Sequence, residues 1–322
     1  MKKRMLNLLV LVQFGLGTFW GQPVLAGDEA VIRHLPDVSS PAERVRGEPG
    51  QLQIVDRSCR QYPVTRVRQR IVDIALQEWR WFGGSILDMT GPDIEPPRKP
   101  GERPWWWSDW RTPEEARRVA DDIAGYWAAA PASSWIVNKQ NQRWNELGIT
   151  ARWRDFWSAA FISWVMCESG LGRPEQFQRA IAHHTYIDQA IRARDGQDTG
   201  AAYVAYDVGE AEILPGDLLC RGSRPAYMNL SQRRSQMGQG ARTHCDVVVE
   251  LDVGNEQIRV VGGNVRGSVR MKRLPAKTGV NGLLQPVPYG GRRIFSHLKL
   301  MDHGETMALS DCVEYECAAT ES

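Results

Sequence analysis

The sequence predicts an α+β fold, an antiparallel sheet packed on a central helix, and three observations predict it. Apolar residues recur at helical spacing up to Gly200 and in strand-like runs after it. Over residues 155–168 almost every position is apolar or small, the composition of a helix buried on all sides. Gly254-Asn255 separates two Val-rich runs, a two-residue hairpin signal that makes those runs antiparallel neighbours.

In chain order, Lys2, Lys3 and Arg4 precede an apolar run over residues 5–20, and Val24-Leu25-Ala26 closes it with small residues at the cleavage positions. This is the build of a secretory signal peptide, residues 1–26, cleaved after Ala26. Gln13, Gly15, Gly17 and Gly21 break the run, which falls short of the ~20 continuous apolar residues of a bilayer span. No stable membrane span is therefore expected after cleavage. Gly27 follows the triplet, so no cysteine stands there to be acylated.

Residues 27–64 lack sustained periodicity and read as an extended arm. Residues 65–150 read as a helical, Trp-rich layer. Val67, Ile71, Ile74, Ala75 and Phe82 mark one helical face, stopped by Gly83-Gly84. Pro92, Pro96, Pro97, Pro100 and Pro104 exclude helix or central strand and lead into Trp105-Trp106-Trp107 and Trp110, a surface loop pinned by aromatic burial rather than a sugar-stacking platform. Thr112-Pro113-Glu114-Glu115 is a capping box with proline at the first helical position, and it opens a second helix.

Residues 151–302 form the main domain, with 303–322 as a C-terminal tail. Asp155 reads as the N-cap of the buried helix, which puts Ser158 in its first turn. Pro174-Glu175 then opens another helix, with Phe177, Ala180, Ile181, His184, Ile187 and Ile191 facing inward. On that helix adjacent residues point about 100° apart, so His184 is a core histidine, His183 is exposed, and the two cannot share a metal ion. Strands follow over residues 203–208, 217–220, 246–253, 257–261, 268–274 and 294–301.

The 40 basic residues nearly balance the 38 acidic ones, and the signal peptide removes three of the former and none of the latter. A neutral mature chain lacks the basic stripe that a phosphate backbone requires, so nucleic acid is excluded as the expected partner. All six cysteines lie in the mature part, where an exported chain meets oxidising conditions and disulfides persist. No CxxC pair or HExxH motif is present, so no metal or other cofactor is expected.

A tight turn at Gly254-Asn255 opposes residues whose numbers sum to 509, which sets Asn264 opposite Cys245 and beside His244. Gly262-Gly263 adds the signal of a bulge there. A His–Asn pair suits a base: one group fixes the imidazole tautomer while the other ring nitrogen faces a nucleophile. Ser158, at a helix start where free N–H groups and the helix dipole favour negative charge, is the candidate nucleophile. The strands begun at Asp217 and ended near Val253 should pair, so Cys220 and Cys245 are expected to form a disulfide closing 24 intervening residues.

Trp157-Ser158-Ala159-Ala160-Phe161-Ile162-Ser163-Trp164, the Leu214-Pro215-Gly216-Asp217-Leu218-Leu219 turn, His244 opening a Val-rich strand, and Gly262-Gly263-Asn264 resemble the ordered landmarks of papain-like amidase domains of the NlpC and CHAP type. Over about residues 65–300 the chain also resembles domain of unknown function 2272. The clan resemblance, over about 150–275, implies a nucleophile at Ser158, where those enzymes carry cysteine, a base at His244 and an orienting group at Asn264. It further implies hydrolysis of an amide bond in peptidoglycan or another envelope polymer by a periplasmic or secreted protein. The rival expectation is a catalytically inactive module of the same fold that binds peptidoglycan or an envelope protein.

Overall fold

The computed structural model describes residues 38–61, 66–91 and 112–301. The signal segment, the Pro-rich stretch with Trp105 to Trp107 and Trp110, and the tail with Cys312 and Cys317 lie outside the described residues. Within these residues the fold is α+β, with six α-helices and a multi-stranded sheet.

The helices come first. After two short paired strands, β1 (Val45–Arg46) and β2 (Gln53–Ile54), α1 (Val67–Trp81) leads through β3 (Ile86–Asp88) to α2 (Pro113–Ala129) and α3 (Ser134–Leu147). The capping box at α2 is reciprocal: Glu115 N donates to Thr112 Oγ1 at 3.1 Å, and Thr112 N donates to Glu115 Oε2 at 3.1 Å. The buried helix is α4 (Ser158–Glu168), followed by α5 (His184–Arg194) and, among the strands, by the short α6 (Leu230–Arg234).

The remaining strands are β4 (Tyr203–Tyr206), β5 (Leu218–Arg224), β6 (Arg242–Asp252), β7 (Gln257–Val265), β8 (Ser268–Thr278), β9 (Leu284–Pro286) and β10 (Ile294–Leu300). Their order is β3-β8-β7-β6-β5-β10-β4, with β9 on β8, and every pairing is antiparallel except β3 with β8. The hairpin register follows the sum of 509 at Asp252↔Gln257, Leu251↔Ile258 and Glu250↔Arg259, then slips by one at a bulge to Val248↔Val260.

All side chains of α4 are buried, as its composition requires, between α1 and α2 on one side and β6 and β7 on the other. Tyr126 meets Trp157, Phe161 and Trp164 in one aromatic cluster. A second apolar layer, with Leu219, Val248, Ile258, Val260 and Leu274, covers the other face of the sheet. Alternation along β6 and β7 therefore serves two buried faces.

Two stretches differ from expectation. The segment over residues 38–61 is packed, not loose: Leu52 is buried, its N–H donates to Asn141 Oδ1 at 3.0 Å, and its carbonyl accepts from Asn141 Nδ2 at 2.8 Å. The buried Arg44 pairs with Glu168 at the end of α4, and Cys59 is disulfide-bonded to Cys167. Residues 174–183 are not helical. Side chains take the place of the helical ladder there, with Gln189 Oε1 accepting from Gln178 N at 2.7 Å and Ser163 Oγ from Ala180 N at 2.9 Å.

Candidate functional site

Ser158 is the first residue of α4, capped by Trp157 rather than by Asp155. The leading N–H groups of a helix have no partner within it, so they face whatever lies before the helix. In front of α4 lies a cleft of ≈ 720 Å³ lined by Ser158, His183, His244 and Asn264, among others.

Ser158 does not bond His244. Its Oγ lies 2.6 Å from Nε2 of His183, which is buried, 4 % exposed, not on the outer face of a helix as expected. With the chain irregular up to His184, the 100° spacing between helical neighbours does not apply to His183. The expected core residue, His184, is half-buried and bonds the Ala241 carbonyl at 3.2 Å through Nδ1.

His183 Nδ1 accepts the backbone N–H of Cys245 at 3.3 Å and meets the Tyr186 hydroxyl. The Cys245 N–H is available because Val248 N donates to Asp217 O, which turns alternate groups of β6 toward β5 and leaves those of Cys245 and Val247 facing β7. The β6–β7 ladder ends at Val247↔Val261, where Gly262 to Asn264 leave register. A backbone N–H can only donate, so Nδ1 is the unprotonated nitrogen. Burial pushes the His183 pKa well below 6.5, with His244 adding to the effect, so the ring is neutral. Its one proton is thus on Nε2 and is donated to Ser158 Oγ, which leaves the serine's own hydrogen free to point into the cleft.

His244 lies on β6 opposite Arg221, 8 % exposed, its ring 5.3 Å from that of His183 between centroids. Burial holds its pKa down at about 4, against the pull of Asp246 and with the push of Lys272. Nε2 is 2.9 Å from Asp246 Oδ1, and the other carboxylate oxygen takes Lys272 Nζ. Burial would raise the pKa of Asp246, but His244 and Lys272 outweigh it and keep the carboxyl ionised far below its ordinary range. The neutral His244 must then donate Nε2–H to Asp246 and present the Nδ1 lone pair.

Asp246, not Asn264, is therefore the group that orients His244. Asn264 lines the same cleft in a left-handed conformation, φ 55°, with no hydrogen bond to His244. The spacing His244-Cys245-Asp246 was the available signal, since residues two apart on a strand share a face. The glycines serve close approach: a Cβ on Gly262 would sit 1.9 Å from Asp246 Oδ1, and one on Gly263 would sit 2.5 Å from Phe161 Cβ. Cys220 and Cys245, paired across β5 and β6 with Cα atoms 4.1 Å apart, form a disulfide that fixes the backbone next to His244.

Among the described residues no group of three or more His, Cys, Asp or Glu side chains could hold a metal ion, and no helix is long and apolar enough to cross a membrane. The two disulfides accord with an oxidising compartment.

An α+β protein with a His–carboxylate pair and a helix-start serine around one cleft is the class that fold and site define. Residues 114–287 match the family described as "uncharacterized protein conserved in bacteria (DUF2272)", and the chain belongs to it. No curated protein and no solved structure matches the chain.

Proposed function

We propose that the chain is an exported cell-envelope amide hydrolase of papain-like, NlpC- or CHAP-type organisation, with Ser158 as nucleophile, His244 as base and Asp246 as its orienting carboxylate. Residues 1–26 would direct it to the periplasm or beyond, where peptidoglycan or another envelope polymer is the substrate. The observation that carries this is the 2.6 Å contact of Ser158 Oγ with His183 Nε2: with Nδ1 accepting from Cys245 N–H, Nε2 donates to the serine and frees the serine hydrogen, in a cleft that His244 also lines.

In the forward step the Ser158 proton passes to His244 Nδ1 as Oγ bonds the amide carbon. The N–H groups at the start of α4 hold the oxyanion. The imidazolium, stabilised by Asp246, protonates the departing amine as the C–N bond breaks. Water, deprotonated by His244, then releases the acyl group as the acid and restores the serine.

Ser158 and His244 are not hydrogen-bonded to each other, and this favours a second reading, an inactive module of the same fold that binds the polymer. Labelled sacculi separate the two. Fragments released by the mature protein and lost in Ser158→Ala and His244→Ala support hydrolysis; co-sedimentation without release in the native protein supports the module.

A further inference from the structure

The cleft that holds Ser158 and His244 is electrically one-sided. Among the described residues that line it, seven are Arg or Lys and none is Asp or Glu, although the chain as a whole is nearly balanced. A surface sorted this way raises the local concentration of anions and selects for them.

The asymmetry is sharpest on the floor beside His244. Arg221 lies opposite His244 on one side and opposite Ile294 on the other, and Tyr289 is bridged to Arg292 just before that strand. Arg221 and Arg292 both repel the charge of Lys272, and the carboxylate beside them, Asp246, has its two oxygens already taken by His244 and Lys272. Among the described residues Arg221 makes a single side-chain hydrogen bond, to Ser223 Oγ at 2.9 Å, and no carboxylate forms an ion pair with it. Burial depresses its pKa by more than the nearby Tyr289 and Asp246 restore, the sign of a charge that has lost more in water than it gains from its surroundings.

A second, independent observation lies at the same place. Tyr289 is 6 % exposed, lines the cleft, and its hydroxyl is buried with no hydrogen-bond partner among the described residues. That hydroxyl interacts electrostatically with Arg221 and Arg292, and burial holds its pKa at about 12, so it remains a donor at any ordinary pH. A buried donor without an acceptor costs free energy, and a ligand oxygen among two guanidinium groups removes that cost. The same cleft has an apolar lining as well: Trp153, Ile181 and Phe156 contribute to it, and Phe156 is 69 % exposed.

We propose that the floor of the cleft is a carboxylate-binding subsite, in which Arg221, Arg292 and the Tyr289 hydroxyl hold the acid group of an amphiphilic substrate whose apolar body lies against Phe156 and Trp153. The substrate class is then an acylated amino acid or peptide with a free carboxylate near the amide to be cut, and this clause rests on the hydrolase reading. Lys272, held by Asp246, tunes His244 and does not meet the ligand.

The test is binding, scored apart from hydrolysis. The mature protein is titrated with N-dansyl-phenylalanine and with its neutral carboxamide at low salt, reading energy transfer from tryptophan to dansyl. The acid should bind at least about tenfold more tightly than the amide, and the preference should weaken with added salt. Arg221→Ala should remove that preference while leaving amide binding unchanged. Tyr289→Phe, which keeps the ring, should reduce acid binding several-fold with an unaltered circular dichroism spectrum. Equal binding of acid and amide, or equal losses for both in Arg221→Ala, overturns the subsite. A dansyl phosphate monoester that binds more tightly than the acid, with the same dependence on Arg221, overturns the carboxylate assignment in favour of phosphate. Acid-selective binding by a protein that releases nothing from sacculi keeps the subsite and removes the amidase; hydrolysis without acid selectivity does the reverse.

Discussion

At the scale of single residues the site turns on where one proton sits. The Ser158 hydroxyl accepts from His183 instead of donating to it, because a main-chain N–H occupies the other ring nitrogen. Ser158→Ala should then abolish turnover and cost about 1–3 kcal/mol, the penalty for leaving a buried Nε2–H without an acceptor. The variant should still fold, since alanine is the best helix former. Ser158→Cys is more telling. A thiolate at the start of α4 would receive the His183 N–H and the helix dipole, so it should react with iodoacetamide at neutral pH faster than an ordinary buried thiol. An inert thiol in a folded variant would mean that the hydroxyl position does not favour negative charge. That Ser158 opens a helix and His244 lies on a strand is legible in the sequence, because helix start and strand are local patterns. Strand alternation places Asp246 beside His244, whereas the hairpin sum points to Asn264. His183 was out of reach: its inward direction depends on residues 174–183 being irregular, which helical spacing arithmetic hides.

At the scale of elements the cleft exists because β7 departs from β6 as it nears the start of α4. Gly262 and Gly263 make that departure by letting the strand touch Asp246 on one face and Phe161 on the other. Gly263→Ala would place its methyl 2.5 Å from Phe161 Cβ, backbone-proximal atoms that cannot swing aside, so β7 and α4 must separate. The expected cost is about 1–3 kcal/mol, as for other overpacked cores, read as a lower urea midpoint with an unchanged m-value. Gly262→Ala intrudes on the Asp246 carboxylate and should in addition impair catalysis, because the His244 pair is displaced with it. If Gly263→Ala proves as stable as the native chain, β7 and α4 are not in contact there. The strands themselves were readable from alternation, and the register from the turn; the bulge that shifts it by one residue was not, since it reflects how β6 meets β7 and not any residue in the turn.

Across the whole molecule two disulfides bind distant parts of the chain, and two electrostatic features make its stability depend on pH. The Cys220–Cys245 bond has a separation of 25 residues and the Cys59–Cys167 bond one of 108, so chain entropy assigns them roughly 3 and 5 kcal/mol. Cys59→Ser/Cys167→Ser should thus lower the melting temperature more than Cys220→Ser/Cys245→Ser, while the latter, next to His244, should harm activity more. The packing of residues 38–61 was illegible in the sequence for the same reason: Arg44–Glu168 and Cys59–Cys167 join residues more than a hundred positions apart, and no local pattern announces them. The electrostatic features are the two buried, neutral imidazoles. His244 titrates near 4 when folded and at the ordinary 6.5 when unfolded, and His183 is shifted in the same direction. Between those values the unfolded chain binds more protons than the folded one, so stability rises with pH: it is complete above 6.5 and is lost as pH falls toward 4. His244 alone accounts for about 3 kcal/mol of that loss, and Asp246 extends it below 3.8, where the unfolded carboxyl takes up a proton that the folded one refuses. Urea melts at pH 7 and pH 4.5 should show a clear drop in midpoint, reduced in His244→Gln, which cannot become charged. Equal midpoints for the native chain at the two pH values would mean that His183 and His244 carry protons in the fold. Ser158 would then face a different pair of rings, and the assignment of its hydrogen to the cleft would fall with them.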